Sequence, residues 1–163
     1  MEIQPIVNKP ALIMSSVSKT EREEKAERVQ QIINHSTGTY RYQRISPMLR
    51  SLVVTDGVAE VFEAAGAFWL GDIVMSLFFH KKIRQQIQRA QAEEDYLVCK
   101  LKVDVEEGKG EFTMRRMDEK EIIYKQKISY TDFPLEEFEM WLDVYSHQNG
   151  EEPIKILFLP SER

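Results

Sequence analysis

The 163-residue sequence contains one cysteine, Cys99, so no disulfide can form within the chain. A disulfide framework of the kind that holds small secreted domains together is therefore excluded, and a reducing compartment is expected. Cys99 falls in an alternating apolar pattern, which is typical of a small buried side chain in a strand. The three histidines are far apart in the sequence and lack a partner at helical spacing. Since a structural zinc site wants four Cys or His ligands, we expect no metal and no cofactor.

Long hydrophobic runs are missing as well. The longest apolar stretch, residues 66–79, is interrupted by Asp72 and is shorter than the ~20 residues that a membrane-spanning helix requires. The first residues also lack the charged-then-apolar pattern of a secretory signal. These absences predict a cytoplasmic protein that does not associate with a membrane.

The sequence has no excess of positive charge, since 22 Lys and Arg stand against 27 Asp and Glu, for a net charge of −5. Nucleic-acid binding depends on a basic surface, so this composition argues against it. Neither a P-loop nor a Gly-x-Ser-x-Gly nucleophile elbow occurs. Asp72, Ser76 and His80 share one helical face, but Asp72 and His80 would lie ~12 Å apart along the helix axis, which is too far for a triad.

The chain divides into a leader, residues 1–18, and a single domain, residues 19–163. The leader carries two prolines and scattered apolar side chains, and its pattern leaves three alternatives open: a strap on the core, an exchange arm, or a partly disordered segment. Apolar residues at helical spacing and capping signals predict helices in the domain. Their ranges are 20–34, 56–65, 67–92 and 134–147.

The period of the apolar pattern changes from helical to alternating near residue 96, which predicts strands. Short turns separate the strands, so an antiparallel meander is expected. The predicted fold class is α+β, with a sheet of about four strands packed against three to four helices. The predicted strands cover 96–105, 111–117, 121–130 and 154–159.

Four short motifs occur in order along the chain: Thr-Asp-Gly-Val at 55–58, Ala-Gly-Ala-x-Trp-Leu-x-Asp at 65–72, Tyr-Thr-Asp-Phe-Pro-Leu at 130–135, and Leu-Pro-Ser-Glu at 159–162. In combination they resemble a bacterial family of small proteins known only as a domain of unknown function. The resemblance implies a small stand-alone bacterial protein. It implies no reaction, cofactor or catalytic residue.

Six residues are candidates for a binding site, and none is assigned a catalytic role. Aromatic and arginine side chains alternate in the run at 40–44, where they could stack on a ligand or anchor a loop to the core. Thr55 or Asp56 is expected to cap the helix at 56–65. Asp72 lies in an apolar run and is expected to be a buried carboxylate beside a largely buried Trp69. It would either pair with an arginine or a backbone donor, or form the polar floor of a pocket. The six candidates are Tyr40, Arg41, Arg44, Asp56, Trp69 and Asp72.

Two functions of different kinds fit these observations. The first is a non-catalytic interaction protein, either a homodimer or an accessory factor that binds another protein, and the lack of catalytic groups favours it. The second is a small-ligand or nucleotide-handling enzyme, in which Arg44, Asp56 and Asp72 would converge on a pocket beside Trp69. An apolar surface patch would indicate the first, and a closed pocket holding those polar groups would indicate the second.

Overall fold

The computed structural model describes residues 20–93, 96–117, 121–145 and 153–163, so the predicted leader lies outside the described residues. The described residues form four helices and seven strands. The helices are α1 (20–35), α2 (Asp56–Ala65), α3 (Phe68–Leu77) and α4 (Lys81–Ala92). The strands are β1 (Tyr42–Arg44), β2 (Leu52–Thr55), β3 (Leu97–Asp104), β4 (Lys109–Arg116), β5 (Ile122–Ile128), β6 (Glu137–Tyr145) and β7 (Ile154–Phe158). A 3₁₀ helix, Pro160–Glu162, follows β7.

All seven strands belong to one mixed sheet with the order β1-β2-β7-β6-β3-β4-β5. The pair β2–β7 is parallel and the other pairs are antiparallel. The α+β class is as predicted, but the four-stranded antiparallel meander is wrong, because only β3, β4 and β5 form a meander. The sequence did not indicate β1 and β2, which have only three and four residues and so carry too little alternation to be recognised.

The predicted helix at 134–147 is also wrong, because Glu137–Tyr145 is the strand β6. Phe138, Trp141 and Leu142 match a helical spacing, but Phe138, Met140 and Leu142 also match the period of two. Tertiary pairing decides between the two readings. β6 lies between β3 and β7, and it buries Phe138, Met140 and Leu142 on one face of the sheet.

The predicted helix at 67–92 is two helices, α3 and α4, which are separated at residues 78–80. His80 has an extended backbone conformation at the start of α4, with φ −98° and ψ 113°. The break has no Gly or Pro to signal it in the sequence. It allows α4 to turn Ile83, Ile87 and Ala90 towards the core, while its charged side chains stay exposed.

The helices cover one face of the sheet, here called the covered face. Alternate residues of β3 and β6, such as Leu101 and Met140, join Val29 of α1, Phe62 of α2 and Leu70 of α3 in one buried core. The intervening strand residues lie outside that core and form the opposite, open face. The sheet is therefore wrapped on one side only by the described helices. None of those helices is both long and apolar enough to cross a membrane.

Candidate functional site

Three of the six candidates, Tyr40, Arg41 and Asp56, meet at the N-terminus of α2, directly after β2. Thr55 is the N-cap: its Oγ1 accepts a hydrogen bond from the Val58 amide at 3.4 Å. Asp56 is the first residue of the helix, and its Oδ2 accepts hydrogen bonds from the backbone amides of Tyr40 (2.9 Å) and Arg41 (3.2 Å). Of the two residues expected to cap the helix, Thr55 is the cap and Asp56 is not. Its carboxylate ties the 39–41 segment to α2.

The hydrogen bonds to Asp56 lower the pKa of its carboxyl, with the amide of Tyr40 as the largest cause. Thr39 completes the connection. Its Oγ1 accepts a hydrogen bond from the Asp56 amide at 3.0 Å and donates one to the Arg41 carbonyl at 2.7 Å. The side chain of Tyr40, by contrast, is fully exposed (100%).

The C-terminal Glu162 binds to the same helix end. Its carboxylate accepts hydrogen bonds from the Thr55 hydroxyl (2.5 Å) and from the backbone amides of Gly57 (3.0 Å) and Leu159 (2.9 Å). A Cβ on Gly57 would lie 2.4 Å from Glu162 Oε1, so glycine is what permits this approach. The motifs at 55–58 and 159–162 thus meet in space, where they fasten the chain end to α2.

A groove of about 520 Å³ lies beside this junction, between the end of α1 and α2, with His35 and Glu60 in its wall. The ring of His35 is held by the Gln31 carbonyl at 2.8 Å. The carboxylates of Asp56 and Glu162 are both occupied by backbone amides and, for Glu162, by a hydroxyl as well. We therefore interpret the junction as a structural connection between segments.

The remaining candidates are spread over the molecule. Asp72 is exposed on α3 and has no hydrogen-bond or ion-pair partner among the described residues, so the prediction of a buried, paired carboxylate is wrong. Trp69 is partly buried and packs against the core, close to the predicted burial. Arg44 lies on β1 and faces the open side, whereas α3 packs on the covered side. The structure does not bring Arg44 and Asp72 together.

A reactive cysteine or a group of metal ligands could also carry chemistry. Cys99 is fully enclosed in the core, and this burial raises the pKa of its thiol, so the thiolate is disfavoured. Within the four described ranges, no three His, Cys, Asp or Glu side chains are grouped so that they could hold a metal ion.

One row of side chains on the open face has a pattern that the sequence did not indicate. Arg44 pairs with Val53, Val53 pairs with Ile156, and Ile156 pairs with Asp143, so the four lie side by side across β1, β2, β7 and β6. At ~4.8 Å between strands the row spans ~14 Å. Neither Arg44 nor Asp143 has an ion-pair or hydrogen-bond partner in the described part of the chain.

Aromatic side chains border this row. Tyr42, which is 57% exposed, lies on β1 next to Arg44, and Trp141 lies on β6 next to Asp143. Trp141 contacts Phe158 edge to face and stacks on Tyr96, and the Arg163 guanidinium lies over the Trp141 ring. We call this region, from β1 to β6, the apolar half of the open face. It comprises Tyr42, Val53, Ile156, Phe158 and Trp141.

The rest of the open face carries paired charges, and we call it the charged half. Lys100 pairs with Glu137 at 3.5 Å, and Lys125 pairs with Glu111 at 3.6 Å. Such partly exposed pairs on neighbouring strands are typical of a surface in contact with water. The sequence missed the row in the apolar half because β1 and β2 are short and β6 resembled a helix.

The comparisons with known proteins identify a family but no activity. A family of unknown function, DUF6876, matches residues 27–163, and the chain belongs to this family. No curated protein and no solved structure matches the chain.

Proposed function

We propose that this member of the DUF6876 family is a non-catalytic interaction protein that pairs with a second copy of itself through the apolar half of its open face. The observation that carries the proposal is the row Arg44, Val53, Ile156, Asp143, which has a positive end, an apolar middle and a negative end. A cytoplasmic location and a bacterial source stay predictions from the sequence.

The row is complementary to its own rotated copy. A two-fold axis parallel to the strands, placed between β2 and β7, lays β1 of one protomer over β6 of the other and β2 over β7. Arg44 then faces the partner's Asp143, and Val53 faces the partner's Ile156. The same rotation lays Tyr42 over the partner's Trp141. Interfaces of this isologous kind are the commonest among homo-oligomers.

The chemistry of the surface also suits an interface. Aromatic residues and arginine are enriched in protein–protein interfaces, and an uncovered apolar area costs free energy when it stays in water. Arg44 and Asp143 each lack a partner within the described residues and would gain one in the dimer. The charged half has its ion pairs within the protomer and gains nothing from a partner.

Light scattering over a dilution series tests the proposal. We expect the wild-type chain to shift from monomer to dimer as its concentration rises. Arg44→Glu places a second carboxylate opposite the partner's Asp143, and Asp143→Lys places a second cation opposite the partner's Arg44. Because opposed like charges disfavour association, each variant should raise the dissociation constant of the dimer about tenfold or more.

The charged half supplies the matched control. Lys100→Glu reverses a charge on the same open face, next to Glu137. It should leave the dissociation constant unchanged within about twofold, since the site lies outside the proposed contact. A chain that stays monomeric at high concentration, or that weakens equally with Lys100→Glu, contradicts the proposal.

The ligand-binding enzyme predicted beside Trp69 and Asp72 has less support. Asp72 is exposed, Arg44 lies on the opposite side of the sheet, and Asp56 binds backbone amides. No observation favours a reaction at these residues.

A further inference from the structure

We propose that a separate cavity between α4 and the covered face of the sheet binds a small organic carboxylate with an apolar body. The cavity has a volume of about 230 Å³. Its walls come from the α3–α4 turn, from one face of α4 and from the β6 and β7 strands with the residue before β7. The inference is independent of the proposed self-association, which concerns the opposite face of the sheet.

The inner wall holds a buried cation. Lys155 lies on the covered face of β7, opposite Val144 on β6, and is only 6% exposed. Lysine is rarely buried to this degree, because the ammonium must be compensated where water is excluded. Its Nζ donates hydrogen bonds to Ser51 Oγ at 2.7 Å and to the Pro153 carbonyl at 3.0 Å, and it lies 5.2 Å from the centre of the Phe78 ring.

A second cation lies at the rim. Arg84, on the first turns of α4, lines the cavity with its side chain exposed, and it has no ion pair or hydrogen bond to any of the described residues. The described residues around the cavity include no acidic side chain. Arg84 therefore offers a cation at the rim with which an anionic ligand can pair.

The remaining wall is apolar and narrow, and this sets the class of ligand. Leu49, Phe78 and Ile87 form the apolar surface, and Gln88 and Gln91 add amides from α4. A cavity of ~150 Å³ holds a benzene ring, so 230 Å³ suits a ring or a branched chain with one acidic group. A planar carboxylate matches the two parallel N–H groups of the Arg84 guanidinium. A nucleotide is too large for the space.

Titration of the full-length protein with benzoate, isovalerate and hexanoate, followed by NMR, tests this inference. At least one of the three should shift the methyl resonances of Leu49 and Ile87 in a saturable way. The neutral analogue of that acid, for example benzyl alcohol in place of benzoate, should bind about tenfold more weakly or worse, since it lacks the charge that Arg84 and Lys155 favour. If none of the three acids shifts these resonances, or if acid and alcohol bind equally, the inference is wrong.

Two variants on α4 test whether binding of the acid depends on a charge at the cavity or only on the net charge of the helix. Arg84→Gln should weaken binding of the acid about tenfold, and as an exposed residue it should leave the fold intact. Arg89→Gln removes the same charge from an exposed position that lines a different groove on the other side of α4. It should change binding by less than about twofold. Equal losses in the two variants would contradict the inference.

The buried lysine gives a second comparison. Lys155→Met removes the inner cation, and binding of the acid should fall at least as much as in Arg84→Gln. Arg44→Glu, on the open face, should bind the acid like wild type. That result would keep the cavity distinct from the proposed dimer contact, whichever of the two proposals fails.

Discussion

Ile156 and Leu157 are neighbours on β7, yet they face opposite sides of the sheet and have different surroundings. Leu157 is fully buried (0% exposed) beneath the helices, whereas Ile156 is partly exposed on the open face. The two side chains have nearly the same apolar area, so composition does not separate them. The difference is that the described helices cover the face that holds Leu157, whereas Ile156 lies on the face that those helices leave uncovered.

The largest expected effect comes from truncating these two neighbours. Leu157→Ala leaves a cavity in a closed core and should lower the free energy of unfolding by ~2–5 kcal/mol. Ile156→Ala removes a similar side chain from a surface that is already partly wet, and should cost about 1 kcal/mol. Urea unfolding at low protein concentration measures both values for the monomer. If both variants lose the same free energy of unfolding, Ile156 is as well packed as Leu157, and the proposed difference between the two faces is wrong.

Glu162→Ala should lower the free energy of unfolding by an intermediate amount, because it releases residues 159–163, which run from the covered face to the open face. Leu159 is buried beside α2, while Arg163 lies over Trp141 on the open face. The substitution removes three hydrogen bonds, those from Thr55, Gly57 and Leu159, and should cost ~2 kcal/mol. Tryptophan fluorescence should change as well, since Arg163 loses its anchor. Unchanged stability would mean that the junction does not hold the chain end.

The smallest expected effect is a dependence on pH at Asp56. Because its pKa is lowered in the folded state, Asp56 stabilises the fold above its ordinary pKa of about 3.8, and this contribution is lost as the pH falls through the lower folded value. Asp56→Asn should therefore melt below wild type at neutral pH, and the two melting temperatures should converge in acid. Asp72→Asn, at an exposed residue without a partner among those described, is the control and should melt like wild type at neutral pH.

The sequence predicted what local pattern determines. The α+β class, α1 and the β3–β4–β5 meander follow from apolar periods of 3.6 and 2 that extend over seven or more residues, whereas α2 follows from its capping signals. Gly66 ends α2 in the left-handed conformation (φ 64°), as its position indicated. These features depend on neighbours in the chain and can be inferred without knowledge of the tertiary structure.

The errors lie where pairing between distant segments decides. β6 satisfies both periods at Phe138 and Leu142, and only its place between β3 and β7 makes it a strand. The same limit applies to the candidate site, because its residues come together only through the pairing of distant strands. Arg44 was identified by its residue type, but Val53, Ile156 and Asp143 join it only through strand register, and Lys155 gave no signal within an alternating strand.

The most direct test of the central claim is to mix two variants that each fail to dimerise. Arg44→Glu and Asp143→Lys each create like-charge contacts in their own homodimers. In a heterodimer of the two variants, each introduced charge faces the other, and the native Arg44 of one chain faces the native Asp143 of its partner. Sedimentation velocity of the mixture should therefore show a dimer at concentrations at which each variant alone is monomeric. A mixture that stays monomeric contradicts the proposed pairing of the open faces.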